Sequence, residues 1–178
     1  MRTETSVTGV VAAAATAGSL ALRVLRSVLE TEARKRNSDR LAQLIDSLGH
    51  DAERLAALAD EDGAVYTAYM RAQKAHSPRV QVALRRAVET PMEAARLAAA
   101  GIDLCLEALD FLRGPMMADV GGTAVLLAGA VRAILCTVDT NLGAVEDQRF
   151  AREIRLERSE IEQRAIRESD QALAALAR

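Results

Sequence analysis

Apolar residues recur at steps of three and four along most of the chain, the spacing that places them on one face of an α-helix. The most regular stripe lies between residues 41 and 69. Its members are Leu41, Ile45, Leu48, Ala52, Leu55, Ala59, Tyr66 and Tyr69. The stripe has one gap, which falls on Asp62, and the segment NSDR at 37–40 offers an N-terminal cap. We therefore predict one long helix across this segment.

Capping and breaking residues divide the rest of the chain into further helices. The segment SPR at 77–79 places a capping serine before a proline, which restarts the chain. In the segment TPME, Thr90 can cap a helix, Pro91 suits its first turn and Glu93 completes a capping box. The Gly-Pro pair at 114–115 is a strong stop signal. The helices predicted besides the long one span about residues 6–36, 77–89, 90–113, 119–145 and 147–178.

The composition agrees with an all-α fold. Half of the residues are apolar, only 2% are aromatic and there is no tryptophan, so Ala and Leu must fill the core. Such a core favours closely packed helices over a β-sandwich, and the chain has no alternating strand pattern. We predict one helical domain over residues 1–178, a bundle of about five long helices with one short helix.

Charge and cysteine content exclude several classes of protein. The formal net charge is −2, and no basic stripe with interleaved aromatic residues is present, so we expect no nucleic-acid partner. The run VTGVVAAAATAGSLAL at 7–22 is interrupted by small polar residues and is too short and too weakly apolar to span a bilayer. Cys105 and Cys136 lie in apolar helical runs, which indicates buried free thiols in a reducing compartment. We expect a cytoplasmic protein without a membrane partner.

Asp62 is the first candidate for chemistry. Consecutive helical residues point about 100° apart, so the three acids of DEDGAVY cannot share one role. Asp62 is in phase with the apolar stripe, whereas Asp60 and Glu61 are not. A carboxylate on this face loses hydration, which raises its pKa and suits it to proton transfer near neutral pH. The structural alternative is a core carboxylate that pairs with an arginine or caps a neighbouring helix.

Two further polar residues lie on the fourth predicted helix. Asn141 follows an apolar stripe, so its amide either fixes a ligand or bridges two helices. Asp119 lies where the helix begins, before Gly121 and Gly122, and is either an N-cap or part of a ligand site at a helix N-terminus.

The remaining polar candidates are weaker. Arg132 and Asp139 share a face two turns apart, which favours ion pairs with another helix or another copy. The two histidines, His50 and His76, have no second metal ligand at helical spacing, and no nucleotide motif is present. We therefore expect neither a metal nor a bound cofactor.

Four segments in order resemble the cyclodeaminase/cyclohydrolase family. DEDGAVYTAYMRAQK at 60–74 is similar to its D-x-D segment, and RRAVETPMEAARLA at 85–98 to its basic pair followed by a proline. ADVGGTAVLLAGAV at 118–131 is similar to its Ser-Asp motif, and TNLGAVEDQRF at 140–150 to its Asn-Leu motif. The resemblance covers residues 6–150.

The resemblance implies a helical subunit in a homodimer or a ring of dimers. It implies acid/base cleavage or closure of a C–N bond on a one-carbon tetrahydrofolate, with Asp62 as the acid/base. It also places Asp119 and Asn141 near the ligand. Tyr66, Arg85 and Asp139 are further substrate-binding residues that we expect. Tyr66 and Tyr69 also serve packing, although a hydroxyl in a cleft can orient a substrate.

The chain departs from the family pattern at several points. TETSV at 3–7 stands in place of a glycine-rich loop, AHSPR at 75–79 is a shortened loop, and Ala118 and Asp139 replace a serine and an apolar residue. Two alternatives therefore stay open. One is a relative that acts as a cyclase or dehydratase on a non-folate molecule in specialised metabolism. The other is a non-catalytic helical dimer.

Overall fold

The helices found in the structure confirm the predicted all-α class. A computed structural model describes residues 9–177, and no strand occurs among them. The five helices are α1 (Val10–Ala33), α2 (Asp39–Lys74), α3 (Val80–Ala108), α4 (Met117–Leu142) and α5 (Gln148–Ala175). A single 3-10 turn, Gly114–Met116, precedes α4.

The first four helices form an antiparallel bundle, and α5 lies across α3 and α4. Two buried hydroxyl groups fix the level at which α1 meets its neighbours. Ser19 Oγ donates to the Ala52 carbonyl of α2 at 2.7 Å, and Thr123 Oγ1 of α4 donates to the Ala21 carbonyl at 3.3 Å. Because each hydroxyl has a partner, these buried polar groups cost little.

Glycines and alanines allow the central helices to approach closely. A Cβ added at Gly101 of α3 would lie 3.0 Å from Leu22 Cδ2 and 3.1 Å from Leu127 Cδ1. Gly101 therefore brings α3 against both α1 and α4, and Leu22 and Leu127 are fully buried there. The predicted Ala/Leu core is confirmed.

The break predicted at Thr90 is wrong, because α3 runs without interruption through Pro91. Leu84, Val88, Met92 and Ala95 are buried along the same helix, before and after the proline. Burial on both sides favours a continuous helix more strongly than one missing backbone hydrogen bond opposes it. The short predicted helix is thus the first part of α3.

Most other helix ends lie within a few residues of the prediction. Ser38 caps α2, and Asp147 caps α5 by accepting from the Arg149 and Phe150 N–H groups at 3.0 Å. The helix after SPR begins at Val80, and Ser77 Oγ accepts from the Arg79 N–H at 3.2 Å. The start expected at Ser6 lies outside the described residues.

Ion pairs attach α5 to the bundle. The Arg96 guanidinium binds Glu157 through two hydrogen bonds, one of them 2.7 Å long, and holds the pKa of that carboxyl below its ordinary value. Arg158 lies 2.9 Å from Asp139 of α4. The buried residues of α5 form only a thin stripe. They are Phe150, Ala151, Ile154, Ile161, Ala165, Ser169 and Ala172.

The two cysteines differ, which corrects the prediction that both are buried. Cys105 is buried in α3, and burial raises the pKa of its thiol to about 12. Cys136 is exposed on α4, where its thiol donates to the Arg132 carbonyl at 3.3 Å. The helix around Cys136 carries apolar residues on both its buried and its exposed face. The sequence alone therefore did not indicate which face of the helix is exposed to solvent.

In the part of the chain that the structure describes, two segments are long and apolar enough to span a membrane, Val10–Ala33 and Gly114–Leu142. The helix Val10–Ala33 continues beyond the run at 7–22, which by itself was predicted to be too short to span a bilayer. In their most apolar stretches, 50% and 56% of the residues are buried within the bundle, which is also how core helices of soluble proteins pack. By themselves, length and composition are weak evidence for a membrane span.

Candidate active site around Asp62

The three acids at 60–62 have different surroundings, as helical phase predicts. Asp60 and Glu61 are exposed, and Glu61 lies 2.7 Å from Arg54 Nη1. Asp62 is half-buried one turn after the buried residues Leu58 and Ala59. Burial raises the pKa of the Asp62 carboxyl above its ordinary value of 3.8. Among residues 9–177, no cation lies within 4 Å of Asp62 to offset this effect.

Asp62 lies level with the beginning of α1. The contact of Gly18 with Leu55 and the hydrogen bond of Ser19 to Ala52 fix the antiparallel register of α1 and α2. Following the equal rise of the two helices, the residue opposite Asp62 is about Val11. Beyond Asp62, toward the α2 C-terminus, the inner side of α2 therefore extends past the described part of α1.

A cleft opens further along the same side of α2. Its volume is about 330 Å³. The lining residues are Tyr69, Gln73, His76, Ser77, Val80, Gln81, Leu84 and Ala144. Asp62 does not line this cleft itself. It precedes Tyr69 by seven residues, a rise of about 10 Å along the helix.

Polar groups line the far end of the cleft. Gln73 Nε2 donates to the Tyr69 hydroxyl at 3.4 Å. His76 has a left-handed φ of 49°, which turns the chain sharply after α2, and its Nδ1 lies 3.3 Å from the Lys74 carbonyl oxygen. Gln81 fixes the connection from α4 to α5, where its side chain donates to the Ala144 carbonyl and accepts from the Glu146 N–H, both at 3.2 Å.

Asn141 bridges two helices near this end of the bundle. Its Nδ2 donates to the Ala87 carbonyl of α3 at 2.7 Å. Ala87 is the residue four positions before Pro91, so its carbonyl oxygen cannot receive the usual helical hydrogen bond. Asn141 replaces that missing donor, so one of its two amide N–H groups is already engaged within the protein.

Asp119 lies at the other end of α4. It is half-buried in the first turn, but Met116 is the N-cap and Asp119 makes no capping hydrogen bond. Asp119 and Asn141 are 22 positions apart on one straight helix, which corresponds to about 33 Å. A single chain therefore cannot bring both residues to one small ligand.

The other three expected substrate-binding residues lie on the outside of the bundle. Tyr66 is 54% exposed. Arg85 bonds to Glu89 at 3.0 Å and stacks over the Phe150 ring, with 4.1 Å between the guanidinium carbon and the ring centroid. Asp139 pairs with Arg158 of α5 at 2.9 Å. Arg132 also reaches α5, at 3.8 Å from Glu162, so the interpretation of Arg132 and Asp139 as interhelical partners is confirmed.

Sequence reasoning missed the two glutamines that line the cleft. Gln73 continues the stripe 62, 66, 69 by one more step, so the helical period alone would have found it. Gln81 is brought in by α3 and gave no such signal. Within residues 9–177, no group of three or more His, Cys, Asp or Glu side chains is arranged to hold a metal ion.

Comparison with known proteins places this bundle in a family. The family model for formiminotransferase-cyclodeaminase matches residues 2–160. The chain belongs to the formiminotransferase-cyclodeaminase family. The crystal structure of formiminotetrahydrofolate cyclodeaminase from Thermotoga maritima has the same fold, with a TM-score of 0.89 over 98% of this chain and 90% of that chain, at 18% identity. No curated protein matches the sequence.

Proposed function

We propose that the protein catalyses acid/base C–N bond cleavage or ring closure on a one-carbon tetrahydrofolate, with Asp62 as the acid/base. The observation that carries this proposal is the half-buried Asp62 carboxyl on the inner side of α2, whose pKa burial raises. Family membership supports the class of substrate. The free thiols of Cys105 and Cys136 agree with a cytoplasmic location.

The two reactions place the same demands on Asp62. In cyclodeamination, N10 of the folate attacks the formimino carbon and loses a proton, and ammonia leaves after gaining one. In hydrolysis, water adds to the methenyl carbon and loses a proton. The C–N5 bond then breaks as the new hydroxyl loses its proton to form the formyl carbonyl and N5 gains a proton, so one proton is released overall. A carboxylate near the reacting carbon accepts the proton that the attacking group loses and donates a proton to the departing nitrogen. Its negative charge also stabilises the cationic centre.

The direct test offers the purified protein both substrates. We expect it to convert 5-formiminotetrahydrofolate to the methenyl form, or to hydrolyse 5,10-methenyltetrahydrofolate faster than the spontaneous rate. Both reactions are followed by the near-ultraviolet absorbance of the methenyl group. If neither absorbance changes beyond the rate without enzyme, the folate reaction is excluded.

The chain's own sequence also supports a second candidate, a cyclase or dehydratase that uses Asp62 on a non-folate molecule. TETSV at 3–7 replaces a glycine-rich loop, and only glycine allows the closest backbone approach to a ligand. Arg85 and Asp139 are also engaged in ion pairs rather than facing the cleft. Two results together would favour this candidate. The protein would be inactive in both folate assays, and a ligand would protect the region of Asp62 from hydrogen exchange.

We also propose that the chain forms a homodimer through an exposed apolar surface of α1 and α4, called here the α1–α4 face. Its large members are Val10, Leu20, Val24, Val125 and Leu126, each at least 45% exposed. Gly122 and Gly129 of α4 have open space where a Cβ would lie, so a second helix can approach closely. Exposed apolar residues on one side of two packed helices are typical of interaction sites.

The substitution Leu126→Glu is expected to convert the dimer to monomer, because it places a charge in the α1–α4 face. Light scattering during size-exclusion chromatography measures the mass. Cys136 lies two turns beyond Gly129 on the same side, so its reaction with a thiol reagent should be slow in the dimer and fast in the variant. Leu156→Glu on α5, where Leu156 is 68% exposed, is the matched control and should leave the dimer intact. A wild-type chain that elutes as a monomer would contradict the dimer.

A further inference from the structure

A second, larger cavity lies between the C-terminal half of α2 and the start of α3, and we call it the α2–α3 groove. Its volume is about 670 Å³, within the range of small-molecule sites. The walls are mostly small and apolar, with Ala64, Val65 and Ala68 from α2 and Val82 and Ala83 from α3. This makes the groove suitable for a flat or extended apolar body.

The polar lining of the groove is positive. Arg79 and Arg86 line its α3 side, and within residues 9–177 neither has a carboxylate within 4 Å. The one acid in the lining, Glu61, is already paired with Arg54 at 2.7 Å. The groove therefore holds two guanidinium groups that no carboxylate of residues 9–177 pairs with.

The two arginines are positioned to act together. Arg79 immediately precedes α3 and Arg86 lies seven residues later, which places both on one side of the helix with a rise of about 10 Å between them. A guanidinium binds carboxylate, sulfonate or phosphate groups through paired hydrogen bonds. An anion at either position would lie over the apolar wall formed by Val82 and Ala83.

We propose that the α2–α3 groove binds a small organic anion with an apolar body, held by Arg79 and Arg86. This goes beyond the proposed reaction, because Glu61 lines the groove while Asp62 points about 100° away from it around α2. A ligand in the groove and a substrate beside Asp62 would thus occupy different sides of the same helix. The two sites can be tested independently.

The first experiment compares two dyes of similar shape, anionic 8-anilinonaphthalene-1-sulfonate and neutral N-phenyl-1-naphthylamine, by fluorescence titration. We expect the wild type to bind the anion more tightly than the neutral dye. The double variant R79A/R86A should weaken the anion at least about ten-fold and leave the neutral dye unchanged, because charge-assisted hydrogen bonds are lost. The single variant R152A, at an exposed arginine of α5, is the control for charge and should bind as the wild type does.

Two substitutions locate the bound dye. Ala68→Trp fills the groove and should abolish binding of both dyes, whereas Ala42→Trp, at an exposed alanine elsewhere on α2, should not. Circular dichroism checks that each variant is folded.

The proposal is overturned by any of three results. These are equal affinity of the wild type for both dyes, unchanged anion binding in R79A/R86A, or unchanged binding in Ala68→Trp. Each would mean that the dye binds another apolar surface, such as the α1–α4 face. None depends on folate activity, so failure of the proposed reaction leaves this test unaffected.

Discussion

Replacing Asp62 with asparagine is expected to lower kcat/KM for the proposed folate reaction by about 10²–10⁴-fold, the usual contribution of a general acid/base. Asparagine has nearly the same shape and stays uncharged, so it keeps the packing beside Leu58 and Ala59 but cannot accept the proton. The loss is measured from the methenyl absorbance under kcat/KM conditions. Asp60→Asn, at an exposed acid two positions earlier, is the control and should retain full activity.

The same substitution should leave the protein as stable as before, or make it more stable, at neutral pH. Because the folded-state pKa of Asp62 is raised, the folded chain binds more protons than the unfolded chain between pH 3.8 and that higher value. The contribution of Asp62 to the free energy of unfolding therefore falls as the pH rises through this window. Asparagine does not titrate, so the free energy of unfolding of the variant does not fall for this reason. Urea unfolding at pH 4 and pH 7 would measure the difference.

Activity and stability together identify the role of Asp62. A functional carboxylate gives an inactive variant that is at least as stable as the wild type, and a pH profile of kcat/KM that rises with ionisation of Asp62. A structural carboxylate gives lower stability with activity in proportion to the folded fraction. Full activity of Asp62→Asn would remove this residue from the reaction.

The second large effect concerns Asn141 and Pro91. Asn141→Ala is expected to lower the free energy of unfolding by about 1–3 kcal/mol, because the Ala87 carbonyl would lose its donor at 2.7 Å. In a Pro91→Ala background the same change should cost less than about 1 kcal/mol, since the amide N–H restored at position 91 can bond to that carbonyl. Urea unfolding of the wild type, both single variants and the double variant forms a complete cycle.

The cycle separates two roles for Asn141. A coupling near zero would show that Asn141 does not compensate for Pro91. If Asn141→Ala then raised KM for the folate without changing stability, Asn141 would be a substrate-binding residue, as the family resemblance implies. Thr140→Ala is a suitable control, because the exposed Thr140 hydroxyl bonds only within α4, to the Cys136 carbonyl at 3.0 Å.

The sequence predicted features that depend on one helix at a time. The apolar stripe on α2 alone was enough to predict the helical phase of Asp62 and its partial burial. Interpreting Pro91 required knowledge of what packs against α3. Thr90 does not cap a helix, because α3 continues through Pro91, and Asn141, 50 positions after that proline, compensates for it. No local pattern contains that pairing.

The sequence pattern also did not indicate which residues lie at the same level along the bundle axis. Asp119 and Asn141 look alike in the sequence, as polar residues on one apolar helix, yet they are about 33 Å apart. Arg85 pairs with Asp147, just before α5, and Asp139 pairs with Arg158 of α5. The partners lie too far apart in the sequence for a helical period to predict the pairing. Cys136 is exposed because α1 and α5 flank α4 without covering that side.

The attachment of α5 makes the last helix the most salt-sensitive part of the chain. Arg96, Glu157, Asp139 and Arg158 are partly exposed, so dissolved ions screen their attraction, while burial of the thin apolar stripe is hardly affected by moderate salt. At high ionic strength the amide protons of α5 should therefore exchange with solvent well before those of α1 to α4. The remaining helices would keep their core at Leu22, because that core contains no charge.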